Sequence, residues 1–169
     1  MKNKGVIKLK NSLKLSALIL SLILSISLCS CSVPVAQEKQ PLVKEIVSEI
    51  QKQCELPEME EVSEYQLGHF YNINKTDVAN FSAFVSADSM SKDEIVLIEA
   101  LTESEANTIR DRLNEHYDNL LSETEKFLPE EYEIIKDCKV VKDGIYIRLF
   151  ISKDANKMEE IYSSYMQSQ

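Results

Sequence analysis

The stretch that most constrains the fold runs from Cys138 to Ile151, CKVVKDGIYIRLFI. Two runs rich in β-branched and aromatic residues flank Asp143-Gly144, and an Asp-Gly pair supplies the positive-φ positions of a type I′ turn, so the segment is read as a β-hairpin. A two-residue loop sets Lys142 opposite Ile145, Val140 opposite Ile147 and Cys138 opposite Leu149 on the face expected to meet the core. Val141 with Tyr146, and Lys139 with Arg148, fall on the other face. Two cations directly opposite each other are unfavourable unless acids flank them, and Glu99 on a neighbouring strand is a candidate acid. This second face, with Tyr146, Arg148, Phe150 and Lys139, is the candidate binding surface; its competing reading is a charge-balanced solvent face.

The other elements follow from periodicity. Leu42, Val43, Ile46, Val47 and Ile50 recur at helical spacing after Pro41, which suits a first helical turn. That helix has one apolar stripe to bury, on the following domain or, as the sharper option, on a partner protein. Leu56-Pro57 ends the pattern. Glu58, Glu60, Glu61 and Glu64 follow without the alternating ligands and turn glycine of a calcium loop, so they read as a solvated acidic run. Gly68 is read as the residue that ends a short helix, and Asn74 as the N-cap of a single helical turn. Phe81 to Ala87 is a strand with Phe81, Ala83 and Val85 on one face. Glu94 to Leu101, EIVLIEAL, has no clean polar face, as in a central strand or one covered on both sides.

Thr102-Glu103-Ser104-Glu105 reads as a capping box that opens the longest helix, to about Phe127. Its core stripe is Ala106, Ile109, Leu113, Tyr117, Leu120, Leu121 and Thr124, and His116 lies beside it as a boundary residue. Pro129 opens a short helix. Asp154 is expected to cap a last helix with a stripe of Met158, Ile161, Tyr162, Tyr165 and Met166. The expected fold is α+β: an antiparallel sheet of about four strands packed on one face by helices, preceded by an N-terminal helix. The last helix and the long helix would together form the second layer.

The N-terminus carries an address rather than a fold. Lys2, Lys4, Lys8, Lys10 and Lys14 precede an apolar run from Leu15 to Leu28, 14 residues long. A bilayer-spanning helix needs about 20 apolar residues, so this run suits an export signal. Leu28-Cys29-Ser30 before Cys31 is similar to the lipobox of bacterial lipoproteins, which implies lipidation of Cys31 and cleavage after Ser30. Cys29 is the poorer candidate because bulky Leu28 would precede it. Two acyl chains give stable anchoring where one gives only marginal binding. The expected organisation is a removed signal peptide over 1–30, a lipid-anchored tether over 31–41, an N-terminal helical segment over 42–67 and an α+β domain over 68–169.

Cleavage there leaves 139 of the 169 residues, with 14 Lys and Arg against 28 Asp and Glu, a net charge of −14. So acidic a surface argues against a nucleic-acid partner. The expected contacts are a membrane, through the anchor on Cys31, and an unknown envelope protein or small ligand. Beyond the signal, the histidines are His69 and His116 and the glycines Gly68 and Gly144. There is no G-x-S-x-G elbow, H-E-x-x-H helix, C-x-x-C pair or glycine-rich phosphate loop, so no catalytic, cofactor-binding or metal-binding residue is assigned and no cofactor is expected. Cys54 and Cys138 leave a disulfide open, since export permits one.

Three stretches carry a resemblance. They are Tyr71-Asn-Ile-Asn-Lys-Thr-Asp-Val78, Asp93-Glu-Ile-Val-Leu-Ile98, and Leu128-Pro-Glu-x-Tyr132 leading to Val140 and Asp143-Gly144-Ile-Tyr. In order and spacing they resemble the family known as domain of unknown function 4358, found on small lipoproteins of Gram-positive bacteria. Asn72 stands where that family has glycine. The resemblance implies an envelope lipoprotein and transfers no catalytic residue. The expected function is a membrane-anchored extracytoplasmic module at the cell membrane, a non-catalytic binding or accessory protein, with a small-molecule or ion-binding lipoprotein as the alternative.

Overall fold

Seven residues, Glu94–Ala100, hold the architecture together. Side chains alternate across a strand, so Val96, Ile98 and Ala100 point to one side and Ile95 and Leu97 to the other, and all five are buried. A strand apolar on both faces needs cover on both. The structure, a computed structural model, describes residues 42–167; the signal 1–30, the tether 31–41 and Cys31 lie outside the described residues. In chain order the described elements are α1 (Leu42–Gln53), β1 (Met59–Glu61), α2 (Glu64–Tyr71), a 3-10 turn (Lys75–Asp77), β2 (Val78–Ser86), β3 (Glu94–Ala100), α3 (Glu103–Phe127), α4 (Pro129–Ile135), β4 (Val140–Asp143), β5 (Tyr146–Ile151) and α5 (Ala155–Gln167).

The strands form one antiparallel sheet in the order β1-β2-β3-β5-β4, with β3 in the middle. On one face α2, α3 and α4 bring Leu67, Tyr71, Ile109, Leu113, Tyr117 and Ile135 over Ala83, Val96, Ile98, Ile147, Leu149 and Ile151. On the other, α1 and α5 bring Val43, Ile46, Val47, Ile50, Met158, Ile161 and Tyr162 over Ile95, Leu97 and Phe150.

The α+β class and the antiparallel sheet are as expected, while the layering differs. Helices cover both faces instead of one, and the long helix α3 and the last helix α5 lie on opposite sides. The physical reason is visible in β5: Ile147, Leu149 and Ile151 face one way and Phe150 the other, so one helical layer would leave Phe150 wet. The sheet also has five strands. The fifth, β1, lies within the acidic run, where two of its three residues are exposed glutamates and only an edge position lets a strand look like that.

Local chemistry sets the joints. The reciprocal capping box is at Ser63, whose hydroxyl accepts from Gln66 N–H while the Gln66 side chain accepts from Ser63 N–H. At Thr102 only half of the motif forms: its hydroxyl accepts from Ser104 and Glu105, and Glu105 Oε2 is buried without a partner. Gly68 lies inside α2, not at its end. The chain leaves that helix through Asn72, at φ 55° and ψ 36°, the left-handed conformation that Asn tolerates better than most side chains. The expected cap of α5 also works differently: the Asp154 carboxylate accepts from Glu55 N–H at 2.8 Å, tying the exit of α1 to the entrance of α5.

The hairpin forms with its register moved by two residues. Asp143 faces Tyr146, Lys142 faces Ile147, Val141 faces Arg148 and Val140 faces Leu149. The loop is therefore Gly144-Ile145, with positive φ only at Gly144 (57°), the pattern of a type II′ turn rather than type I′. An even shift keeps every side chain on its expected face, and it removes the Lys139–Arg148 apposition. No heavy atom lies within 4 Å of where a Gly144 Cβ would sit, so only backbone strain opposes a side chain there. Gly144→Ala is expected to cost about 1–2 kcal/mol and to lower the thermal midpoint by a few degrees, read by circular dichroism.

Candidate functional site

The candidate binding face is roofed over. Phe150 is 2% exposed and Arg148 is 8% exposed, both beneath α5. Arg148 Nε donates to Glu159 Oε2 at 2.8 Å, and its guanidinium lies 3.9 Å from the centroid of the Tyr162 ring. Burial pushes the Tyr162 phenol up to about 12, against the opposing pull of Arg148 and with Asp143 adding to the rise. Tyr146 is half-buried, and its hydroxyl donates to Glu99 Oε1 at 3.3 Å while Asn80 holds Glu99 Oε2 at 2.7 Å. Glu99 thus serves Tyr146, and the counter-ion of Arg148 comes from α5. Lys139 alone of the four is exposed, one residue before β4. Tyr146, Arg148 and Phe150 form a seam between sheet and helix rather than a surface open to solvent, and Lys139 lies outside it. Cys31 lies outside the described residues.

The cluster that sequence reasoning missed is on the opposite face. Glu94 opens β3 in the same register as Val96 and Ile98, which turns its side chain into the core, and it is 5% exposed. Its Oε2 lies 3.0 Å from Nε2 of His116 on α3. The Tyr71 ring, from the last turn of α2, packs edge-on against the imidazole with centroids 4.8 Å apart. Burial lowers the pKa of His116, but the hydrogen bond and charge of Glu94, helped by the Phe70 backbone, outweigh it and leave the net pKa raised. Burial first, and then Glu94, push the Tyr71 phenol well above its ordinary value. Tyr71 faces the same carboxylate, yet neither its hydroxyl nor Glu94 Oε1 makes a hydrogen bond of normal geometry.

The chemistry of this cluster is that of a clamp. One carboxylate ties the start of β3 to α3 and, through the imidazole and Tyr71, to the end of α2. Glu94 thereby fixes the orientation of the imidazole through Nε2. The signal was present in the sequence: counting back by two from Ile98 puts Glu94 on the core face, where a carboxylate needs a partner.

Other chemistry-bearing residues are dispersed. Among the described residues no three His, Cys, Asp or Glu side chains are gathered to hold a metal ion; Glu58, Glu60 and Glu61 line the β1 edge exposed to solvent. Cys54 belongs to the core under α1 and α5, and Cys138 packs against the core on the other face. The sheet separates these free thiols, and burial pushes both pKa values up. Surface grooves are present among the described residues, and two of them are of equal volume. One, of about 410 Å³, runs between Lys44 and Lys75 with Ser63, Asn80 and Phe81 in its walls. A second of about 410 Å³ is lined by Leu56, Pro57, Asp93 and Ile134 with the Glu55–Lys153 ion pair.

Fold and clamp together define a small α+β domain whose most deeply buried polar groups serve its own packing. The chain belongs to the family described as Domain of unknown function (DUF4358), whose model covers residues 52–152. No curated protein and no solved structure matches the chain.

Proposed function

We propose that this chain is a lipid-anchored, extracytoplasmic module of a Gram-positive cell envelope that binds or assists another envelope component without catalysing a reaction. The observation that carries the reading is the order of features before the domain: five lysines, a 14-residue apolar run, then Leu28-Cys29-Ser30-Cys31. That order matches an export signal with a lipidation site, and a run so short is a poor permanent span. Two acyl chains on Cys31 would hold the domain at the membrane surface.

The test is incorporation of a clickable fatty acid into the full-length chain in its native cells. The wild type is expected to label and to sediment with membranes. Cys31→Ala is expected to lose the label entirely and to accumulate in the uncleaved form. Label retained on Cys31→Ala would reject the site.

The groove between Lys44 and Lys75 supports the rival reading, a small-molecule- or ion-binding lipoprotein, because Lys44, Glu61, Ser63, Glu64, Lys75 and Asn80 surround one aromatic ring, Phe81, there. A panel of metabolites, cell-wall fragments and divalent ions separates the two. A ligand at 100 times its dissociation constant stabilises by about 2.7 kcal/mol, a shift of several degrees.

A further inference from the structure

We propose that β4 is a self-pairing edge, through which two copies of this chain join their sheets about a two-fold axis at Val141. This goes beyond the envelope reading and does not depend on the lipid anchor.

The backbone comes first. In a two-residue hairpin the residues flanking the loop exchange hydrogen bonds, so Asp143 pairs in this way with Tyr146 and, by alternation, Val141 with Arg148. The N–H and C=O groups of Val140 and Lys142 therefore point away from β5, off the edge of the sheet. β4 packs chiefly on β5 and α3, and nothing else among the described residues pairs with its outer edge. A second antiparallel β4 centred on Val141 sets Val140 opposite Lys142 of the other copy. The outward groups then meet in two hydrogen-bonded pairs, with Val141 against Val141 as the non-bonded pair between them.

The side chains agree with that register. Residues directly opposite share a face, so Lys139 of each copy meets Asp143 of the other. Both are exposed, and Lys139 makes no ion pair with any described residue. Opposite charges facing each other across strands are favourable. Lys142 lies on the other face and is already held by Glu103 of α3 at 3.2 Å. The opposite edge of the sheet cannot do the same. β1 carries exposed Glu58, Glu60 and Glu61, and two such edges would set like charges against each other. Sequence thus makes one edge self-complementary and the other self-repelling, which favours a closed pair over an open chain of sheets.

The symmetry also suits a surface. A two-fold axis perpendicular to the joined sheet keeps α1 and α5 of both copies on one side.

Two measurements test this on the full-length chain. Sedimentation of the purified protein is expected to show a reversible monomer–dimer equilibrium and nothing larger. Val141→Cys is expected to give a crosslinked dimer on mild oxidation with copper–phenanthroline, since non-bonded antiparallel pairs bring Cβ atoms within disulfide reach. The wild type, and Glu60→Cys on the β1 edge, should give none. Lys139→Asp in the Val141→Cys background should lower the yield several-fold, and adding Asp143→Lys should restore it. A monomer at every concentration, larger assemblies, crosslinking through residue 60, or a charge swap that fails to rescue would each overturn the proposal.

Discussion

A chain cut to residues 52–152, the span that matches the family model, is expected to lose cooperative folding. That span stops short of both helices on one face of the sheet: α1 ends at Gln53 and α5 begins at Ala155. Val43, Ile46, Val47 and Ile50 on α1 are each at most 1% exposed, packed on Ile95, Leu97 and Phe150. Burying one such side chain contributes about 1.5–3 kcal/mol, so the four together supply roughly 6–12 kcal/mol, as large as the whole net stability of a typical domain. α5 adds Met158, Ile161 and Tyr162, and its Glu159 is the counter-ion of Arg148. Deleting 42–53 alone should already abolish the sigmoidal urea transition seen by circular dichroism and drive the protein to aggregate on gel filtration. A soluble monomer with its transition intact would instead show that α1 is free to dock on a partner. The domain is thus larger than the stretch whose sequence pattern recurs in the family, and a helix ahead of that stretch is part of its core.

How much of this could be read from residues alone depended on whether local chemistry or a distant neighbour decided the outcome. The helical stripes and the central strand were legible, because Val43 to Ile50, Ala106 to Thr124 and Glu94 to Ala100 each bury what their periodicity says they should. Turns were legible in place but not in type: Asp143-Gly144 marks the hairpin, yet Tyr146 bonds to Glu99 and faces Asp143, and packing at both ends moves the register by two. β1 was hidden because Glu60 and Glu61 suit an edge strand as well as a loop. The candidate face is covered for a non-local reason. Arg148 and Phe150 look like a binding patch until α5 covers them, and no spacing within β5 encodes which helix will do so. The roles of Asp154 and Asn72 were obscured in the same way, since a side chain that caps and one that braces a neighbour have the same sequence signature.

The clamp at Glu94 gives a pH signature that a purely apolar core would lack. His116→Ala should leave a carboxylate that is 5% exposed with no cation beside it, and breaking a buried pair in this way costs about 3–5 kcal/mol. The thermal midpoint should then fall by roughly 10–20 °C. The sign of the pH effect follows from the direction of the histidine shift. In the folded protein the pKa of His116 lies above its ordinary value of 6.5. The stability that the pair supplies is therefore complete below pH 6.5 and is lost as pH rises through the folded pKa, because the folded state binds the proton more tightly than the unfolded chain. Tyr71 stays neutral throughout that window, its phenol being pushed well above 10. Denaturant titrations from pH 5.5 to 8.5 should show the wild type weakening toward the alkaline side, with Glu94→Gln much flatter, since a neutral amide no longer favours the imidazolium. Equal slopes for wild type and Glu94→Gln would mean that the imidazole meets Glu94 in its neutral form, as a hydrogen-bond donor only. The clamp would then hold β3 to α3 by geometry, and the cost of His116→Ala would shrink to that of one unsatisfied polar group, about 1–3 kcal/mol.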